Sequence, residues 1–245
     1  TKVICLYVEG VKDGGKFLRV ARAVSKKKPI IAIKGGKTAE GAKATMSHTG
    51  ALAGAAEVYS GIFRQAGVIE VSSLEEMFET AKMLEKCTCP RGGRVLVITN
   101  GGGYGILSTD AIISSGLQMA QLGKESVSQL KQLLPRVQSH NPIDLLGDAT
   151  TESYRTALQV ALNDKNVDVV LLIVLYQTPL VTTDVVDVLI EANDLKKKPI
   201  AVVSAGGEFT EVLKKNVEAN NIPTYTFPEN AVKAIRNLVR YYWKK

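Results

Sequence analysis

The sequence predicts an α/β protein of two domains built on mostly parallel sheets. Three observations predict it. Apolar runs of strand length recur at residues 3–8, 30–33, 68–71, 95–99, 167–175, 200–204 and 223–227. They are continuous rather than alternating, as expected of parallel strands covered on both faces. Amphipathic helical stretches fill the intervals, at 15–25, 51–65, 74–86, 105–114, 126–134, 153–162, 183–195, 208–219 and 229–243, and alternation of this kind builds parallel sheets.

Taken in chain order, the first three strands and their helices make one domain, expected over residues 1–88. The segment Cys87-Thr88-Cys89-Pro90-Arg91-Gly92-Gly93 then breaks the pattern with turn chemistry and precedes a fresh strand, so a linker is expected over 89–93. The second domain, over 94–245, has enough strands and helices to close a flavodoxin-like sheet. The first opens directly on a strand with no initiator Met, and is expected to be an incomplete sheet in a fragment of a longer protein. The strand–helix units are not near-identical, which excludes a solenoid.

Composition narrows the function classes. Hydrophobic residues make up 45% of the chain and charged residues 22%, an ordinary globular balance. No apolar run reaches the ~18 residues of a membrane span, and no secretory signal peptide is visible. Cys87 and Cys89 are too close to bridge without strain, and Cys5 sits in a strand-like run, so reduced thiols in a cytoplasmic protein are expected. The net charge of +7 arises in short lysine clusters such as 26–28 and 196–198, each between a helix and a strand. These are solvated helix ends, and they suit anionic small molecules such as phosphate or coenzyme A. With one Trp and no interleaving of aromatic and basic residues, a nucleic-acid partner is not expected.

Open α/β sheets bind ligands beyond the carboxyl ends of their strands, often at helix N-termini. Three segments fall there. The first, Glu9-Gly10-Val11-Lys12-Asp13-Gly14-Gly15-Lys16, nearly spells a phosphate-binding P-loop. Phe17 stands where that motif needs a Ser or Thr hydroxyl, so an ordinary helix-opening turn is expected. Glu9 faces the ligand crevice, or is a solvated loop acid. The second runs from Lys34-Gly35-Gly36-Lys37-Thr38 to Ser47-His48-Thr49-Gly50-Ala51, a long glycine- and alanine-rich loop. Its small residues let backbone approach a bulky anion. His48, one of only two histidines, is either simply exposed or a working group. The third, Thr99-Asn100-Gly101-Gly102-Gly103-Tyr104-Gly105, joins a strand to a helix. It is either an anion cradle of free backbone amides or a tight turn, and it does not meet the dinucleotide fingerprint. Asn141-Pro142-Ile143-Asp144 and Gly147-Asp148 form a shaped polar connector with His140 beside it. A metal site would need more converging ligands, so none is expected.

The stretch KGGKTAEGAKATMSHTGALAG is similar to the phosphohistidine loop of NDP-forming acyl-CoA synthetases, especially the ADP-forming acetate–CoA ligases. YVEG, KPIIAIKGG, ITNGGGYGILSTDA, HNPIDLLGDAT and IPTYTFPENAVKAIRNLVRYY resemble the same family, in its order and across nearly the whole chain. The resemblance implies two succinyl-CoA synthetase-like, three-layer α/β/α domains. It implies an oligomeric enzyme interconverting acyl-CoA, ADP and phosphate with a free small-molecule acid, coenzyme A and ATP. An acyl phosphate forms first, and its phosphoryl group passes to a histidine and then to the nucleotide. On the motif match His48 is the phosphorylated residue, Glu9 hydrogen-bonds and orients it, and Gly101, Gly102, Gly103, Tyr104 and Gly105 open a helix facing the phosphoryl group. Ser47, Thr49 and Gly50 line the same phosphate. The resemblance further implies an upstream CoA-binding domain and an ATP-grasp subunit or domain that holds ATP/ADP with Mg2+, neither within these residues. Two other classes compete: a non-catalytic acyl-CoA-sensing module of a protein acetyltransferase, and a free-standing flavin or nucleotide binder.

Overall fold

The computed structural model describes residues 1–49 and 54–243, with the side chains at positions 48 and 49 outside the description. Two compact units emerge, Thr1–Glu85 and Lys86–Trp243.

The first unit runs β1 (Ile4–Val8), α1 (Gly14–Ser25), β2 (Ile30–Lys34), α2 (Ala39–Thr49), α3 (Ala56–Ala66), β3 (Ile69–Glu70) and α4 (Leu74–Lys86, whose last residue falls in the second unit). Its strands are parallel in the order β1-β2-β3, with Val8 opposite Lys34. Val8, Ile30 and Ala32 meet Ala21 of α1 and Tyr59, Phe63 and Ala66 of α3 in one apolar cluster. Phe63 is fully buried with Phe17 and Tyr59 edge-on at 6.0 and 6.1 Å, and burial of such a ring is worth about 1.5–3 kcal/mol. The near-P-loop proves to be a helix cap: the Asp13 carboxylate accepts the Lys16 amide at 2.8 Å and starts α1.

One expectation changes here. The alanine-rich stretch after β2 is a helix, α2, rather than a loop, and His48 lies in its last turn. Alanine is the strongest helix former, and Thr38 starts the helix. Its hydroxyl accepts the Gly41 amide at 3.1 Å and its carbonyl the Ala42 amide at 2.8 Å. The helix expected over 51–65 correspondingly begins later, at Ala56.

The second unit runs β4 (Arg94–Thr99), α5 (Gly102–Ser114), β5 (Gln118–Met119), α6 (Lys124–Leu133), β6 (Ile143–Asp144), α7 (Thr151–Asn163), β7 (Val169–Ile173), α8 (Val185–Asp194), β8 (Ile200–Val203), α9 (Glu208–Ala219), β9 (Thr224–Tyr225) and α10 (Pro228–Tyr242). The sheet is parallel in the order β5-β4-β7-β8-β9, and β6 pairs β4 beyond the end of β5. β7 and β8 are buried at every position, which accounts for their unbroken apolar sequence. At the amino ends of the strands, Arg94 grips the buried Asp168 through its amide, Nε and Nη2 at 2.8–3.0 Å. No helix among the described residues is long and apolar enough to cross a membrane.

Candidate active site

In the first unit, the carboxyl ends of β1 and β2 carry an acid, a base and a phenol. β1 delivers Glu9 one residue past Val8. β2 delivers Lys34 directly opposite Val8, and the Gly35 amide donates to the Val8 carbonyl at 2.9 Å to hold the two ends together. Lys34 is only 3% exposed. Its ammonium lies 4.8 Å from the centroid of the Tyr59 ring and donates to the Gly35 carbonyl. Tyr59 is itself held, its hydroxyl accepting the Val11 amide at 2.9 Å. Burial, opposed by the Glu9 carboxylate and aided by the Lys37 charge, draws the Lys34 ammonium below its ordinary pKa. Desolvation first, then the nearby Glu9 carboxylate, push the Tyr7 phenol above its ordinary pKa.

Glycines shape this corner because nothing larger fits. A Cβ on Gly35 would stand 2.5 Å from the Tyr7 hydroxyl. Gly36 has φ +69°, and a Cβ there would meet the Thr45 hydroxyl at 2.6 Å. So β2 turns sharply into α2, whose Gly41 and Thr45 lie against Gly36. Ser47 is exposed on α2 and returns its hydroxyl to the Lys43 carbonyl at 3.1 Å. The side chains of His48 and Thr49, and the whole of Gly50, lie outside the described residues.

In the second unit, the triple glycine forms the first turn of α5. Gly101 is its N-cap, in extended conformation, and makes no side-chain cap bond. The first amides of a helix have no carbonyl partner within it and carry its positive dipole end. Thr99 fixes the turn by accepting the Gly101 amide and donating to the Gly101 carbonyl, both at 2.9 Å. Asn100 clamps the neighbouring strand end, exchanging bonds with the Leu175 amide and carbonyl at 2.9 and 3.0 Å. A Cβ on Gly101 would meet Leu175 at 2.6 Å, one on Gly102 the Asp144 carboxylate at 3.0 Å, and one on Gly105 the Thr99 methyl at 3.2 Å. Gly103 faces open space. Tyr104, half-buried, follows in the same turn.

The structure therefore brings Gly101 to Gly105 into one helix start. It also buries Lys34, which the sequence reading had placed in a loop, beneath the Tyr59 ring at the end of β2. The polar connector has a larger part than spacing showed. The Asn141 side chain bridges β4 and the end of β5, and β6 sets Pro142 and Asp144 beside the first turn of α5. The signal in the sequence was a Lys ending an otherwise apolar strand and an Asn before Pro, both chemically out of keeping with their surroundings. Among the described residues no cluster of three or more His, Cys, Asp or Glu could hold a metal ion.

Two parallel sheets with small-residue turns at their carboxyl ends define an α/β chain whose strand ends suit anionic ligands. Residues 1–84 match the succinyl-CoA ligase like flavodoxin domain, and residues 95–245 match the ligase-CoA domain. The chain belongs to this family. It is 41% identical over 242 residues to acetate–CoA ligase [ADP-forming] I of Archaeoglobus fulgidus, covering 98% of this chain and 34% of that protein. It is 39% identical to the alpha subunit of acetate–CoA ligase [ADP-forming] I of Pyrococcus furiosus, covering 100% of this chain and 53% of that subunit. Among solved structures, the acetyl-coenzyme A synthetase 1 of Candidatus Korarchaeum cryptofilum, in complex with phosphate and ADP, superposes with a TM-score of 0.91 at 34% identity over 98% of this chain and 53% of that one. The chain thus spans about a third to a half of the length of these relatives.

Proposed function

We propose that this chain supplies the phosphohistidine and a phosphate-binding helix start to an NDP-forming acyl-CoA synthetase. That enzyme interconverts acyl-CoA, ADP and phosphate with a carboxylic acid, coenzyme A and ATP. His48 takes the phosphoryl group: the P–O bond of an acyl phosphate breaks, a P–N bond forms, and the carboxylic acid leaves as carboxylate. The imidazole then passes the group to ADP.

The observation that carries this reading is the end of the first sheet. Glu9 leaves β1 beside the point where β2 turns into α2, and α2 bears His48. Helical spacing puts positions 41, 45 and 48 on one stripe, and Gly41 and Thr45 are the residues of that stripe set against Gly36. An imidazole attacks phosphorus through one nitrogen only when the other holds the proton, and a carboxylate accepting that N–H fixes the tautomer. Glu9 is the acid for this work. Phosphoryl transfer is chiefly positioning and charge stabilisation, so in the second unit the helix-start amides of Gly102, Gly103 and Tyr104 serve as phosphate ligands, and in the first unit Ser47, Thr49 and Gly50 serve around His48.

Mg2+ and the nucleotide belong to a complementary ATP-grasp part. Coenzyme A binds chiefly to a CoA-binding domain upstream. This assignment agrees with relatives roughly two to three times as long as the chain. The relatives reported above are named as ligases, which gives the acyl-CoA-sensor alternative no support. The test is turnover in the complete enzyme: His48→Ala abolishes ATP formation from acyl-CoA, ADP and phosphate, and Glu9→Gln lowers it at least about tenfold. Normal turnover by His48→Ala would end the reading.

A further inference from the structure

A carboxylate flanks the first turn of α5. Asp144, half-buried, ends β6 in register with Thr99 of β4, the residue that fixes the Gly101 turn. The Asp144 Oδ1 accepts the Leu146 amide at 2.9 Å, and Leu146 turns the chain away with φ 69°. A leucine in the left-handed region costs free energy and persists only where its surroundings hold it, so this turn fixes the carboxylate in place. The other oxygen, Oδ2, has no hydrogen-bond partner among the described residues and lies 3.0 Å from where a Cβ on Gly102 would stand. Cα–Cβ bonds tilt toward the start of a helix, so a group against the Cβ position of the first residue borders the mouth of α5. Gly102 and Gly103 are exposed there. The amides of that turn attract an anion, whereas a fixed carboxylate repels one. One kind of anion satisfies both: an oxyanion that still carries a proton. The amides donate to its charged oxygens, and Oδ2 accepts its O–H.

We propose that Asp144 is a specificity-determining residue that accepts a hydrogen bond from the P–OH of inorganic phosphate at the start of α5, and so excludes fully ionised oxyanions such as sulfate. The proposal rests on the phosphate-binding helix start above and deepens it. At neutral pH phosphate keeps at least one proton and sulfate keeps none, so sulfate would bring two negative groups into contact. A site built to bond a substrate hydroxyl rejects the analogue lacking it far more strongly than shape alone does. An acid that merely complements the helix dipole predicts instead a loss of stability on its removal, with no change in selectivity.

The test measures ATP formation by the complete enzyme from acyl-CoA, ADP and phosphate, with sulfate as competitor at constant ionic strength. The unaltered enzyme binds sulfate at least about 100-fold more weakly than phosphate. Asp144→Asn keeps an oxygen for the Leu146 amide and offers an N–H in place of Oδ2. It raises the phosphate KM about tenfold and lowers the sulfate inhibition constant about tenfold, so the preference for phosphate falls about a hundredfold. Gly103→Asp sets an acid in the open first turn, where the helix dipole favours it, and raises the phosphate KM by competing for the same amides. A preference that falls less than about tenfold in Asp144→Asn, while Gly103→Asp raises the phosphate KM, overturns the proposal alone. A phosphate KM unmoved by Gly103→Asp overturns the helix-start reading, and the proposal with it. Should Asp144→Asn not fold, the unaltered enzyme decides: sulfate competing more strongly than about 1 part in 100 of phosphate overturns the proposal.

Discussion

Replacing Asn141 by alanine tests how the second sheet builds its helix start. The Asn141 side chain stands where a strand residue would. Its Oδ1 accepts the Val97 amide at 3.0 Å, and its Nδ2 donates to the Val95 and Ala120 carbonyls at 2.8 and 3.0 Å. Val95 and Val97 are 0% exposed and Ala120 2%, so water does not replace these bonds without entering the core. The Val95 carbonyl keeps the Ala120 amide at 2.9 Å; the Val97 amide and Ala120 carbonyl lose their side-chain partner. A buried group left unpaired costs about 1–3 kcal/mol, so Asn141→Ala destabilises the second unit by about 3 kcal/mol. In a unit of this size that is a fall in midpoint of about 6–12 °C, read by circular dichroism as the transition of residues 86–243. Asn141→Asp fares no better, because two donors become acceptors facing carbonyls. Since β6 follows Asn141 and sets Pro142 and Asp144 against α5, labelling of the complete enzyme falls as well. A loss of less than about 1 kcal/mol would refute the bridge as the support of this turn.

Gly35→Ala forces the Tyr7 ring aside, because the new Cβ would stand 2.5 Å from its hydroxyl. Tyr7 is largely exposed, so stability changes by less than about 1 kcal/mol, read from denaturant melts. Asp168→Asn lowers stability by about 2 kcal/mol at pH 7. Burial pushes the Asp168 carboxyl up, but the Arg94 hydrogen bonds and charge, with Lys198, hold it below the carboxylate range. A depressed folded pKa gives stability that is complete above the unfolded value of about 4 and lost as pH falls through the folded one. The variant therefore has a flatter acid limb in a pH series of denaturant melts. Burial, only partly offset by a backbone hydrogen bond at Ile200 and nearby lysines, pushes the Cys87 thiol up to about 12. At pH 8 a thiol-exchange reagent modifies the exposed Cys5 and Cys89 in the native protein and Cys87 only after unfolding.

The elements legible in the sequence are those whose residues carry their own burial. β2, β4, β7 and β8 are buried at most positions and read as unbroken apolar runs. β5 and β6 span two residues each and exist through pairing with β4 and the Asn141 bridge, so no run announces them. α2 was hidden by its glycine and threonine, although its alanines and the Thr38 cap decide for helix. α5 begins at Gly102 rather than at the expected 105, because its glycines answer to Leu175, Asp144 and Thr99, contacts made across the sheet. At the candidate site Glu9 was placed by its position after a strand. Lys34 was not, because whether a lysine at a strand end is buried or solvated depends on Tyr59, which arrives from α3.

The most direct measurement of the central claim is the location of the phosphoryl group. The complete enzyme is incubated with ATP and Mg2+, digested under alkaline conditions that spare phosphohistidine, and its peptides are weighed by mass spectrometry. The account predicts acid-labile, base-stable phosphate on the peptide containing His48, absent after His48→Ala. Phosphate found on another residue, or no phosphopeptide in an enzyme that still turns over, would contradict it.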